Sequence, residues 1–246
     1  MTTIGIIPAR YASTRFPGKP LANINGKTMI QRVYEQAQKA NLQQIVVATD
    51  DERILNHVLN FGGKAVITKE SHPSGTDRCF EAYCTFDNPA DFVVNIQGDE
   101  PFIQPSQINQ LIEALTKPGA QIATLARKLT ETDKILSADT VKLVMNLQHE
   151  ALYFSRHPIP FIRGSQPGNW ASQHSFYQHI GLYGYRADVL EQLVQLPVSD
   201  LEKCESLEQL RWLEHGYKIR VGITTEAAHG IDTPEDLEKV LALGLE

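Results

Sequence analysis

Apolar residues in this chain fall into short runs separated by stretches of helical period. Ile4-Gly5-Ile6-Ile7 is a buried-strand signal that stops at Pro8. Ile30, Val33, Tyr34 and Ala37 then recur at helical spacing, with Thr28 and Gln31 placed as a capping box. Ile45-Val46-Val47-Ala48 predicts a second strand, and Asp50 and Asp51 offer a cap for a helix carrying Ile54, Leu55, Val58 and Leu59. Gly62-Gly63 ends that helix. Ala65-Val66-Ile67 reads as a third strand and Phe92-Val93-Val94-Asn95-Ile96 as a fourth. Residues 105–115 read as a helix and Ile122-Ala123-Thr124-Leu125 as a fifth strand. Buried runs alternating with helices specify an α/β fold with a Rossmann-like, doubly wound, mainly parallel sheet.

The regularity breaks between about Leu129 and Arg186, where His, Tyr, Arg and Pro become frequent. Residues 141–145 fit a strand there. The aromatic content and lack of low complexity predict an inserted α+β subdomain over 129–186, not a linker. The expected core is 1–128 with 187–246, all within one domain of 1–246. Helical spacing returns at Leu207, Leu210 and Leu213 before Gly216, followed by a strand at 219–223. The last helix has Thr233 as N-cap, Pro234 in its first position and Asp236 three beyond the cap. No internal repeat is visible.

A formal charge of −6 argues against a nucleic-acid binder, which needs a basic face. It permits a small anionic ligand in a locally basic cleft. Three cysteines without a Cys-x-x-Cys spacing suggest neither a disulfide framework nor a zinc ribbon. The N-terminal apolar run is four residues long and no stretch approaches a spanning helix, so a cytoplasmic protein without membrane insertion is expected.

The candidate chemistry sits where predicted strands end. Arg10, Arg15 and Lys19 place three cations within ten residues, with Gly18 allowing close backbone approach to a polyphosphate. No Walker A pattern is present. Gln97-Gly98-Asp99-Glu100-Pro101 follows the fourth strand; Asp99 there suits either a hard cation such as Mg²⁺ or a helix-entry turn. Asp232 stands beside a helix N-terminus and becomes a second metal ligand only if the fold brings it to Asp99. Ser74, Gly75, Thr76 and Arg78, in the loop 72–78, either cap a helix or present N–H groups and hydroxyls to a ligand. Arg156, His179, Tyr183, Tyr185 and Arg186 suit a carboxylated sugar or a subunit interface. The histidines show no zinc-ligand spacing. The residues alone therefore point to a Mg²⁺-dependent nucleotidyl or phosphoryl transfer.

The run from Ile6 to Leu21 resembles the N-terminal signature of the 3-deoxy-manno-octulosonate (Kdo) cytidylyltransferase family, of the nucleotide-diphospho-sugar transferase type. The resemblance continues in order through 72–78, 95–101, 151–156, 179–186, 207–211 and 230–237, nearly the whole chain. It implies transfer of CMP from CTP to Kdo, giving CMP-Kdo and pyrophosphate for lipopolysaccharide assembly. It implies that Arg10, Arg15 and Lys19 hold the triphosphate, that residues 74–78 and Gln97 help fix the nucleotide, and that Asp99 and Asp232 hold Mg²⁺. Lys19, Asp99 and Asp232 would be the catalytic set. Arg156, His179, Tyr183, Tyr185, Glu208 and Gln209 would line the sugar pocket, and the chain would form a homodimer through the middle subdomain. Residues 162–175 match no motif. The alternatives are a cytidylyltransferase for another sugar acid such as a sialic acid, a hexose-1-phosphate nucleotidyltransferase, disfavoured by the second-half motifs, and a non-catalytic nucleotide-sensing module.

Overall fold

The computed structural model describes residues 1–227 and 230–242. Ala228, His229 and 243–246, part of the expected 187–246 segment, lie outside the described residues. The chain divides into two compact units: Met1–Asn109 with Arg186–Val194 and Ala228–Glu246, and Gln110–Tyr185 with Gln195–Ala227. This division differs from the expected insertion at 129–186. The second unit starts earlier because the strand Ile122–Leu129 pairs with the strand Ile219–Thr224, which this unit also takes in.

The first unit is built on four parallel strands. Thr3–Ala9 pairs with Phe92–Asn95 on one side and Gln44–Thr49 on the other, and Ala65–Ile67 extends the latter. The apolar runs form strands because their side chains are covered: Ile6, Ile7, Val47, Val93 and Val94 are 0 % exposed. The helices between them start as their sequences specify. Thr28 Oγ1 accepts from Gln31 N, Asp51 Oδ1 from Arg53 N, and Ser74 Oγ from Asp77 N. The Thr28 box is only half made, since the Gln31 side chain donates to Glu35 instead. Asp50 does not cap; it pairs with Arg78. All four strands end at one edge, so Arg10, Asp50, Thr68 and Gln97 emerge together there.

The last helix, Pro234–Ala242, also belongs to this unit. Thr233 Oγ1 accepts from Asp236 N, and Asp236 Oδ2 accepts from Thr233 N, a reciprocal cap. The helix is anchored through Ile231 and Val240, which pack with Ile24, Met29 and Phe102 and against Phe16 of the basic loop.

In the second unit Ile122–Leu129 runs parallel to Ile219–Thr224 and antiparallel to Phe176–Arg186. The hairpin of Lys142–Met145 and Ala151–Ser155 adds to the last of these. The eleven-residue strand Phe176–Arg186, inside the stretch whose pattern breaks, shifts register between Ile180 and Tyr183. Residues 162–175, without a motif, carry Trp170, which is buried, stacks on Phe176 at 6.0 Å and joins Leu129 and Ile135 in a second cluster. Among the described residues no helix is long and apolar enough to cross a membrane.

Candidate active site

The basic loop is shaped by its own backbone before any ligand arrives. Tyr11 O accepts from both Ser13 N and Gly18 N, each at 2.9 Å, which folds the segment back on itself. Gly18 sits at φ +72° with the Tyr11 ring against it, where a Cβ would meet ring atoms at 3.2 Å. The Arg53 guanidinium covers the Tyr11 ring at 3.3 Å from its centroid. The short 3-10 turn Lys19–Leu21 then directs Lys19 inward, its side chain 13 % exposed.

Lys19 is the centre of the arrangement. Its Nζ donates to Asp99 Oδ2 at 2.7 Å and to Asp232 Oδ1 at 3.3 Å, although Lys19 and Asp232 lie 213 residues apart in the chain. The two oxygens are therefore separated by no more than those two contacts end to end, about 6 Å. A backbone bond from Ile231 N to Asp99 O, 3.0 Å, ties the two segments directly. Arg15 completes the cluster with an ion pair to Asp232 at 3.2 Å. The fold thus supplies the condition on which a role for Asp232 depends.

Beside this cluster lies a cavity of about 380 Å³ lined by Arg10, Lys19, Ser74, Gly75, Gln97 and Asp99. Arg10 is steered by the opposite wall, donating from Nη2 to His72 O at 2.6 Å. The helix Gly75–Tyr83 points its N-terminus at the same space, so orphan N–H groups and two cations converge on it. Arg15 and Asp232 do not line the cavity; they reach it through Lys19. Thr76 and Arg78 stand behind it, 3 % and 0 % exposed. Arg78 donates to Thr68 Oγ1 at 2.6 Å and Asp50 Oδ2 at 3.2 Å, so its guanidinium supports the loop from beneath. Burial pushes the Arg78 pKa down, and Asp50 holds it up.

A metal can be tested against this donor set. Among the described residues no group of three or more His, Cys, Asp or Glu is placed to hold an ion. Two carboxylates about 6 Å apart or closer suit a hard cation that completes its shell with water and phosphate oxygens, as Mg²⁺ does. The Lys19 ammonium between them shows that the position attracts positive charge.

The second group of expected site residues lies in the other unit. His179, Tyr183 and Tyr185 follow one another along Phe176–Arg186, with ring centroids 5.3 Å apart for the first pair and 6.2 Å for the second. Trp212 meets both tyrosines edge-on, at 5.1 and 5.6 Å. His179 Nε2 shares a 3.0 Å hydrogen bond with Thr124 Oγ1, and its ring packs on Phe154 at 5.1 Å. Burial pushes its pKa down to about 3, so the imidazole is neutral at ordinary pH. Burial raises the Tyr183 hydroxyl well above its usual 10, with Tyr185 and Glu208 adding to the effect, which places Glu208 close by.

Gln209 Nε2 is buried without a hydrogen-bond partner among the described residues. A buried amide N–H of this kind is available to a bound polar group. Gln209 opens the helix Gln209–Glu214, which Arg211 braces by a paired contact to Glu202 at 2.7 and 2.6 Å. Arg156 is held by backbone: Nε donates to Glu205 O at 2.8 Å and Nη1 to Ala138 O at 3.2 Å. Sequence reasoning missed Thr124 and Asp50. A lone Thr in an apolar strand and an Asp before a helix give no distinguishing signal.

Residues 4–219 match the family model described as Cytidylyltransferase. The 3-deoxy-manno-octulosonate cytidylyltransferase of Parabacteroides distasonis is 57 % identical over 246 residues, covering 98 % of each chain. That of Bacteroides thetaiotaomicron is 55 % identical, covering 97 % of this chain and 96 % of its own. A solved structure of CMP:2-keto-3-deoxy-manno-octonic acid synthetase complexed with CTP is 43 % identical, with TM-score 0.92 over 99 % of this chain and 98 % of that one. A glucose-1-phosphate thymidylyltransferase structure from Bacillus anthracis, described as putative by its own name, shares only the fold, at 15 % identity and TM-score 0.67 over 98 % and 95 %.

Proposed function

We propose that this chain, which belongs to the 3-deoxy-manno-octulosonate cytidylyltransferase family, transfers CMP from CTP to the anomeric hydroxyl of Kdo, releasing pyrophosphate and supplying CMP-Kdo for lipopolysaccharide assembly. The observation that carries the reading is the Lys19 ammonium reaching both Asp99 and Asp232 at the edge of a cavity lined by Arg10 and a helix N-terminus.

The chemistry is a displacement at phosphorus. The hydroxyl oxygen of the sugar bonds to the α-phosphorus of CTP, the bond to the β-phosphate bridging oxygen breaks, and the hydroxyl proton is lost. Arg10, Lys19 and the N–H groups at Ser74 and Gly75 receive the triphosphate. Lys19 offsets the charge that grows on the departing pyrophosphate. Asp99 and Asp232 would hold a Mg²⁺, which would supply Lewis-acid charge neutralisation at the reacting phosphate. In the second unit, Arg156 grips the sugar carboxylate, while the Tyr183 hydroxyl, Gln209 Nε2, His179 and Glu208 meet its hydroxyls. Positioning dominates, because the protein forms no covalent bond in such a transfer.

The proposed enzyme is a homodimer. Leu147, Leu152 and Phe161 support it, being 95 %, 59 % and 72 % exposed in the second unit. Cation removal and a substrate panel test the whole. Pyrophosphate release is expected with CTP and Kdo, at rates at least a hundredfold above those with a sialic acid or with UTP, and EDTA is expected to abolish it. CTP binding without pyrophosphate release from any sugar acid would instead make the chain a nucleotide sensor.

A further inference from the structure

Lys142 is among the largest fully buried side chains of the protein, 0 % exposed, in a strand that the reaction does not otherwise use. Its Nζ donates to three backbone carbonyls: Ser137 O at 2.7 Å, Thr140 O at 2.6 Å and Arg156 O. Three acceptors match the three donors of an ammonium. Burial pushes the Lys142 pKa down while the Glu205 carboxylate pulls it back up.

The three carbonyls are not a random set. One is that of Arg156 itself. The other two bracket Ala138, whose carbonyl accepts from Arg156 Nη1. Lys142 therefore fixes both the backbone that carries Arg156 and the turn that orients its guanidinium. The opposite side is fixed by the segment 205–206: Glu205 O accepts from Nε, Ser206 O accepts from Nη2 at 3.5 Å, and the Glu205 carboxylate accepts from Arg156 N and from Ser155 Oγ. Three of the five guanidinium donors are thus committed among the described residues, one on each nitrogen. One N–H is left on each terminal nitrogen, two donors available to a carboxylate.

We infer that Lys142 is a positioning residue for the sugar-acid substrate, its buried ammonium holding Arg156 in the pose that presents those two N–H groups to the substrate carboxylate. The inference rests on the proposed role of Arg156 and adds to it a residue that touches no substrate. Without the ammonium, three buried carbonyls lose their donor and the turn at 137–140 is freed. The residue that grips the acid then samples many poses, and the cost appears in the sugar step.

The experiment is steady-state kinetics of Lys142→Ala and Arg156→Ala in the full chain, with folding checked by circular dichroism. For Lys142→Ala the KM for Kdo is expected to rise at least tenfold while the KM for CTP stays within twofold. Propylammonium or butylammonium in the assay is expected to restore the Kdo KM by filling the vacated channel, whereas tetramethylammonium does not. If Lys142→Ala does not fold, Lys142→Arg is used, which keeps the charge but not the three-way fit; the same split between the two KM values is expected. An unchanged Kdo KM, or an equal rise in both KM values, overturns the inference. Arg156→Ala separates this from the parent reading: an unchanged Kdo KM in that variant removes the role of Arg156 itself.

Discussion

At the residue scale, surroundings decide what a side chain of a given type can do. Arg10, Arg15 and Arg78 carry the same group, yet one lines the cavity, one pairs with Asp232 and one is sealed beneath the loop at 0 % exposure. His179 is governed in the same way by the Phe154 and Tyr183 rings packed against it. That burial has a measurable consequence. With a folded pKa of about 3 against 6.5, the unfolded chain takes up a proton that the folded chain refuses. The stabilisation is fully present above pH 6.5 and is lost progressively as pH falls towards 3. His179 as a residue keeps intermediate exposure, so the loss at pH 5 is expected to be at most about 2 kcal/mol. His179→Gln should shrink the drop in stability between pH 7.5 and pH 5, read by urea unfolding; parallel stability–pH curves for the two proteins would show that the imidazole is not the cause.

At the scale of elements, starts were readable and some strands were not. Ser74, Asp51 and Thr233 cap their helices because a short polar side chain before an apolar face has one best place for its oxygen. The strand Phe176–Arg186 escaped because Gly181 and Gly184 weaken its strand signal and the register shift near them breaks the alternation. Gly98 shows what such a residue does at a strand edge. A Cβ there would fall 2.8 Å from Pro8 O, where the loop after Phe92–Asn95 crosses the end of Thr3–Ala9. Gly98→Ala is expected to push these two loops apart, weakening CTP binding at least tenfold by calorimetry and lowering stability by about 1–3 kcal/mol. Wild-type CTP affinity in that variant would mean that the close approach does not shape the cavity.

At the scale of the whole molecule, the sequence carried the parallel core and the ligand edge, and the family resemblance carried the activity. The meeting of distant segments was not legible from residue pattern alone. Asp232 reaches Lys19 because Ile231 and Val240 dock into an apolar cluster with Ile24, Met29 and Phe102, and because Ile231 N bonds Asp99 O. Those contacts follow from tertiary packing, and no local pattern near residue 232 encodes them. Asp99 and Asp232 are therefore expected to act as one functional unit, and groups that act as one unit do not lose activity independently. The direct measurement is a double-mutant cycle on pyrophosphate release with saturating CTP, Kdo and Mg²⁺. Asp99→Asn and Asp232→Asn are each expected to lower turnover by about a thousandfold, with CTP still bound, and the double variant to fall no further than the worse single. Losses that multiply in the double variant, or either single variant turning over within tenfold of the native protein, would contradict the account.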